Sequence, residues 1–265
     1  MRLKPLLRVA LFMGLAAAGA SARADRNVLW HLIDTGCVPH AQAGEPPRPC
    51  ERVQLQSDRD HGWVLLKDLK GPLQYLLMPS NRLPGVESPL LYRPDTPNYI
   101  AQAWHNRDLL DRRNGRPLPH DVVSLTVNSQ YRRSQDQLHV HISCTTRELR
   151  ARLLAAQDEL GPQWAPLRGG WWGHAWYVRR VDAATLDRSP LFADAAAHLP
   201  GAAADPGRLT VGVVGLDFKD GRRDFVLMAA LFDPADPGSG SSEDDMQDHD
   251  CRLLGPQVPQ GRAVP

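Results

Sequence analysis

The sequence predicts an α+β fold, a mostly antiparallel β-sheet with helices packed on it. Three observations lead there. Strand-like and helix-like stretches interleave along the chain, neighbouring strands are joined by short turns, and the 23 prolines impose extended connections between them. The 265 residues are enough for one large domain or two small ones. At 42% hydrophobic and 23% charged, with a net charge of +1, the chain is ordinarily globular and lacks the basic excess of a nucleic-acid partner. No internal repeat is visible.

The chain opens on a targeting segment. Arg2, Lys4 and Arg8 precede an uncharged Leu/Ala-rich run over 9–22, and Ala20, Ala22 and Ala24 offer Ala-x-Ala cleavage sites. That run is shorter than the roughly 20 residues of a spanning helix. Residues 1–24 therefore read as a signal peptide, with retention as an N-terminal membrane anchor the alternative; either way the folded part is exported. The expected organisation is a folded domain over 25–232 followed by a linker and tail over 233–265, tethered through Cys251.

The elements follow in order. Residues 27–33 make one short helix ahead of a Pro-rich loop bounded by Cys37 and Cys50. Residues 62–69 read as a buried strand, Gly71-Pro72 as a turn, and 73–78 as a second strand stopped by Pro79. A polar loop over 80–96 leads to a helix from Pro97 to about Arg113, with Thr96 as N-cap and Asn114-Gly115 as its stop. A third strand over 122–127 ends at Asn128, and a hairpin connection brings in a strand over 134–144. Thr145 and Glu148 have capping-box spacing and open a helix that runs toward Gly161-Pro162. Residues 163–176 hold four tryptophans, 176–181 a strand, 190–198 a short helix, and 208–216 with 223–231 a hairpin turning at Lys219-Asp220-Gly221. The Gly/Ser/Asp-rich stretch 234–248 reads as linker and 255–265 as a frayed tail.

Export gives the four cysteines a structural reading as disulfides. Of the three possible pairings, Cys37–Cys50 closes a short local loop and Cys144–Cys251 staples the tail to the central strand. Side-chain parity along 134–144 supports this. Leu138, Val140, Ile142 and Cys144 share one face, whereas Gln137, His139, His141 and Ser143 share the other.

Two imidazoles on one polar strand face admit three uses. One is a zinc site, with His120 or His174 as a further ligand, though no dense His/Asp/Glu spacing accompanies them. Another is a solvated strand surface that happens to contain histidines. The third is nucleophilic catalysis by one imidazole with the other as support. The flanks favour the third: Asn128 can orient a ring nitrogen and Ser134 can donate to an anionic oxygen. Arg132 and Arg133 lie in the loop between, and neutral donors around an imidazole suit phosphoryl or nucleotidyl transfer.

The pattern Asn128…Ser134…Gln137-Leu138-His139-Val140-His141-Ile142 resembles the histidine-triad motif, and 72–79 resembles that superfamily's P-x-H-x-L-V-I-P strand. More narrowly, 66–79, 87–91, 141–144 and 173–181 are similar to the CDP-diacylglycerol pyrophosphatase family, with weaker agreement at Gln-Asp-His-Asp-Cys, 247–251. The resemblance implies a HIT-like fold and hydrolysis of CDP-diacylglycerol to phosphatidate and CMP through a nucleotidyl-histidine. It makes His139 the nucleophile, with His141, Asn128 and Ser134 as its catalytic companions, and needs no metal or other cofactor. Gln137 and Gln74 stand where the family pattern often has histidine; an amide cannot become cationic, so both are expected as polar substrate-binding supports. Lys67 and His174 are further candidates for phosphate contact. The lipid substrate implies a membrane-surface partner and a location in the periplasm or on the periplasmic face of the bacterial inner membrane; the 164–176 tryptophans read first as core, with rest at that surface as the alternative. An exported zinc hydrolase, or an impaired binding protein of the same fold, are the rivals.

Overall fold

The computed structural model describes residues 25–55 and 58–255. The leader reading falls on residues 1–24, and most of the frayed-tail reading on 256–265, both outside the described residues. The strands are β1 (Arg52–Gln54), β2 (Trp63–Lys67), β3 (Tyr75–Pro79), β4 (Val123–Val127), β5 (Val140–Thr145), β6 (Ala165–Pro166), β7 (Tyr177–Val181), β8 (Leu209–Asp217), β9 (Arg223–Leu231) and β10 (Gln247–Asp248). They form one antiparallel sheet in the order β1-β2-β3-β5-β4-β8-β9-β7-β6, with β10 pairing the end of β5. The fold is thus α+β, as the interleaved elements and short turns require.

Parity divides the core in two. One face of the sheet carries Leu65, Leu77, Leu125, Val140, Ile142, Val213 and Leu227. Against it pack α3 (Tyr99–His105), α4 (Asp108–Asn114), α6 (Ala183–Arg188) and α7 (Leu191–His198), through Ile100, Leu110, Leu186 and Phe192. The other face is covered by two separate clusters. Under the β2–β3 end lies the N-terminal lead-in, α1 (Val28–Leu32) and α2 (Val38–Gln42) joined by a π-type turn, packing Leu29, Ile33 and Val38 on Val64, Leu66 and Met78. Under the β8–β9 end, α5 (Arg147–Ala155) and α8 (Ser242–Met246) bring Leu149, Leu153 and Met246 to Val214, Leu216 and Met228. The histidine end of β5 falls between these two clusters, where the strand face is polar.

Both disulfides have the pairing read from the sequence, Cys37–Cys50 and Cys144–Cys251. The second spans 107 residues, and a loop of that length restricts the unfolded chain by about 5 kcal/mol in the chain-entropy account.

Four local expectations are corrected. The helix expected over 97–113 is two, because Asn106 ends α3 by donating its side-chain amide to Gln102 O, and Arg107 lies over the Trp104 ring. Asn98, rather than Thr96, caps α3 by accepting from the Ala101 N–H. Thr145 stays in β5 opposite Gln247, so the cap of α5 is Thr146, which accepts from the Leu149 N–H. The strand expected over 134–144 begins only at Val140: Asp136 N–H donates to Arg26 O and Leu138 N–H to Leu83 O, which draws 134–138 off the sheet.

The largest correction concerns the supposed linker. Residues 241–248 form α8 and β10, tied down by Ser242 Oγ–H donating to Val127 O and Ser242 N–H donating to the Thr210 hydroxyl. Its Gly, Ser and Asp residues serve as turn and cap, with Ser241 accepting from the Asp244 N–H.

Candidate active site

Register sets the centre. His141 lies opposite Leu76 of β3 and Thr126 of β4, so its imidazole shares the polar face with residues from both neighbouring strands. His139 is the last residue before β5, and the two rings meet edge to face with centroids 4.8 Å apart.

The two imidazoles have different partners. His139 Nδ1 is 2.6 Å from the Gln137 carbonyl oxygen. A carbonyl can only accept, so Nδ1 carries the hydrogen and Nε2 keeps its lone pair. His139 is buried, with 7% of its surface exposed. Burial pushes its pKa below the ordinary value, against the pull of the Gln137 carbonyl, Glu243 and Asp68. It is therefore a neutral base at neutral pH.

His141 is boxed in. Its Nδ1 is 3.0 Å from the Gln74 amide nitrogen, which donates, and its Nε2 faces Glu243 Oε2 at 3.4 Å. Burial pushes its pKa down to about 3, with Glu243 opposing and His139, Lys70 and His249 adding to the fall. Glu243 itself is 5% exposed. Burial alone would raise its pKa, but His141, the Lys70 ammonium, the Gln74 amide and His249 outweigh this and hold it at about 2. Lys70 Nζ lies 3.3 Å and His249 Nε2 3.4 Å from Glu243 Oε1.

Asp68, His141 and Glu243 place ligand atoms within 4.8 Å of one another, a spacing that a divalent cation can bridge. The Gln74 amide nitrogen already lies among them, 2.7 Å from Asp68 Oδ2, 3.0 Å from His141 Nδ1 and 3.2 Å from Glu243 Oε1. In this orientation the amide shares its two hydrogens among these three acceptors.

The residues expected from sequence are distributed as follows. Asn128 is buried beside the histidines, but its partner is Glu243: its amide donates to Oε2 (3.2 Å) and its oxygen accepts from the Glu243 N–H (3.0 Å). Gln74 joins the centre as expected. Gln137 leaves the strand face, its amide donating to Pro79 O and Asn81 O, so that only its backbone serves His139. Ser134 is exposed and bonded to neither histidine.

Lys67 points to the helix-covered face, over the Tyr75 ring, and donates to Asp68 O and Gly71 O. Burial, reinforced by Arg113, pushes its pKa down to about 8. His174 faces Asp236 (3.5 Å), and His120 packs against Trp104 and Phe225, so neither joins a ligand set with His141. Arg133 is consumed by Glu87 and Asp136, and Arg132 by Pro237 O and Asp244.

Sequence reasoning missed Asp68, Lys70, Glu243 and His249. One signal for Glu243 was present: Ser241-x-x-Asp244 has the spacing of a helix N-terminus, which puts Glu243 in a first turn.

Comparisons with known proteins identify the family. The family model described as CDP-diacylglycerol pyrophosphatase matches residues 24–255. A CDP-diacylglycerol pyrophosphatase from Yersinia pestis is 38% identical over 235 residues, covering 89% of this chain and 87% of the relative. Nearly the whole described chain is matched, from the lead-in helices to the tail that delivers Glu243 and His249, and the chain belongs to the CDP-diacylglycerol pyrophosphatase family.

Proposed function

We propose that this hydrolase cleaves the diphosphate of CDP-diacylglycerol by way of a cytidylyl-His139 intermediate. The family supports the reaction, and one observation supports the route: the Gln137 carbonyl fixes the Nδ1–H tautomer of His139, leaving a neutral Nε2 lone pair. In the first step Nε2 attacks the cytidine-side phosphorus. The phosphorus–oxygen bond to phosphatidate breaks, and phosphatidate leaves with the electron pair. The His139 ring then carries a positive charge, which the Gln137 carbonyl accepts from at Nδ1. In the second step water attacks the same phosphorus, the nitrogen–phosphorus bond returns its pair to Nε2, and CMP and a proton leave.

His141, held by Gln74 and Glu243, keeps the neighbouring ring in place, and Asn128 holds Glu243. Lys70 is the exposed cation at the centre and meets the diphosphate charge. For location, the two disulfides suit an oxidising compartment, and we place the protein in the periplasm or on the periplasmic face of the inner membrane. Among the described residues no helix is long and apolar enough to cross a membrane. The deciding experiment is mass spectrometry of protein quenched during CDP-diacylglycerol turnover. A CMP adduct on His139 is expected; turnover persisting in His139→Ala rejects the route.

A further inference from the structure

Among the described residues five large apolar side chains are exposed: Val28, Leu69, Leu90, Tyr131 and Trp172. Tyr131 is stacked on Phe232. Leu69 and Trp172 differ from the rest in where their loops are fastened. Leu69 stands fully exposed in the turn between β2 and β3. Its neighbours grip the segment that closes the site: Lys70 reaches Glu243, and Gly71 is so close that a Cβ there would lie 2.4 Å from His249 O.

Trp172 is 64% exposed at φ +55, a backbone conformation that bulky side chains rarely adopt. The adjoining Trp171 turns inward and donates its indole N–H to Asp245 O at 2.7 Å, so one tryptophan anchors the loop to α8 while the other projects. Both tips therefore spring from residues that hold 243–249. Each has a largely exposed cation on its own loop, Lys70 beside Leu69 and paired with Glu243, and Arg168 four residues before Trp172 and 3.9 Å from Glu159, with side chains 61% and 85% exposed.

We infer that Leu69 and Trp172 are paired membrane-inserting tips that seat the catalytic mouth on a bilayer containing anionic lipid. The inference rests on the CDP-diacylglycerol reading above for its occupant: two acyl chains keep that substrate in the bilayer, so its diphosphate is cut at headgroup level. An aliphatic and an indole tip enter the headgroup boundary, and the neighbouring cations meet lipid phosphates. Tips whose neighbours are fastened to Glu243 and Asp245 of α8 hold the mouth against the surface.

The test has two arms on the full chain. In the first, an environment-sensitive fluorophore is placed at Leu69→Cys, Trp172→Cys and, as a control on the distant hairpin, Arg222→Cys, and vesicles of phosphatidylglycerol and phosphatidylethanolamine are added. Blue-shifted emission at 69 and 172 but not at 222 is expected. Emission unchanged at all three overturns the inference, as does a shift that follows protein concentration without vesicles, which would mean self-association. In the second arm, the double variant Leu69→Ser, Trp172→Ser is expected to lose about tenfold or more of the activity on vesicle-borne CDP-diacylglycerol while keeping its rate on a short-chain soluble analogue. A ratio of the two activities equal to wild type overturns the inference. Absence of turnover on both substrates by the wild type would instead refute the catalytic reading, with the fluorescence arm still deciding the docking.

Discussion

His139 and His141 sit two residues apart with their rings in contact, yet one strand face has made two different groups of them. His139 spends one nitrogen on a backbone carbonyl and keeps the other free. His141 has its Nδ1 on the Gln74 amide and its Nε2 enclosed 3.4 Å from the Glu243 carboxylate. Burial depresses both pKa values. The difference in what surrounds the second nitrogen separates the proposed nucleophile from its proposed support, and residue type alone would not have distinguished them.

The sharpest break in that comparison is alanine at each position. His139→Ala is expected to lower kcat roughly 10⁴-fold or more and His141→Ala roughly 10²-fold, measured by CMP release. Equal losses would mean that the two rings act as one unit.

Removing the support that distinguishes His141 comes next. Gln74→Ala is expected to reduce kcat about tenfold, since it leaves Asp68 and Glu243 short of hydrogens and His141 Nδ1 without its donor. In the wild type, EDTA is expected to leave the rate within about twofold. If EDTA abolished activity and zinc restored it, the Asp68–His141–Glu243 triangle would be a metal centre.

Acid should act on both rings together. Below the unfolded-state value near 6.5 the unfolded histidines take up protons that the folded ones refuse, so the unfolded state binds more protons and stability falls as pH drops. The contribution is complete above pH 6.5 and is lost progressively on the way down to the folded pKa, about 3 for His141. Glu243, held at about 2, loses its contribution only from about pH 4.5 downward. In an Asp245→Asn background, which removes a buried carboxyl whose pKa is pushed up to about 7 and which opposes this trend, Tm is expected to fall by about 5 °C or more between pH 7 and pH 5. A flat Tm over that range would mean that the histidines are not held neutral.

The smallest effect belongs to Lys67. It lies across the sheet from both histidines, so Lys67→Met should change kcat by less than about twofold while costing about 1 kcal/mol of stability in denaturant unfolding.

What the sequence disclosed and what it hid follow one physical line. Period-two alternation holds wherever a segment stays in the sheet, so Cys144 was correctly turned away from His141 and the long hairpin of β8 and β9 was legible. It fails where side chains draw the backbone elsewhere: Gln137 left the strand face because its amide finds carbonyls in the 79–83 loop. Lys67 was nominated for the right chemistry on the wrong face, while Lys70, in the turn that follows, was passed over. Glu243 was hidden because composition over 234–248 signals a linker, and only tertiary contacts from Gln74 just before β3, Asn128 just after β4 and His141 of β5 make that segment a wall of the site.

The lateness of Glu243 in the chain gives the centre an order of assembly. A nascent chain that has emerged as far as residue 231 already contains every strand from β1 to β9 and both imidazoles, but not the carboxylate, Lys70's partner or the cysteine that waits for Cys144. The contacts that Glu243 makes with Asn128 and Gln74 span 115 and 169 residues, among the longest closures in the fold and the kind that loop entropy delays. The proposed centre is therefore completed last in biosynthesis, and a chain cut short before α8 holds His139 on the Gln137 carbonyl but leaves His141 without the Glu243 carboxylate.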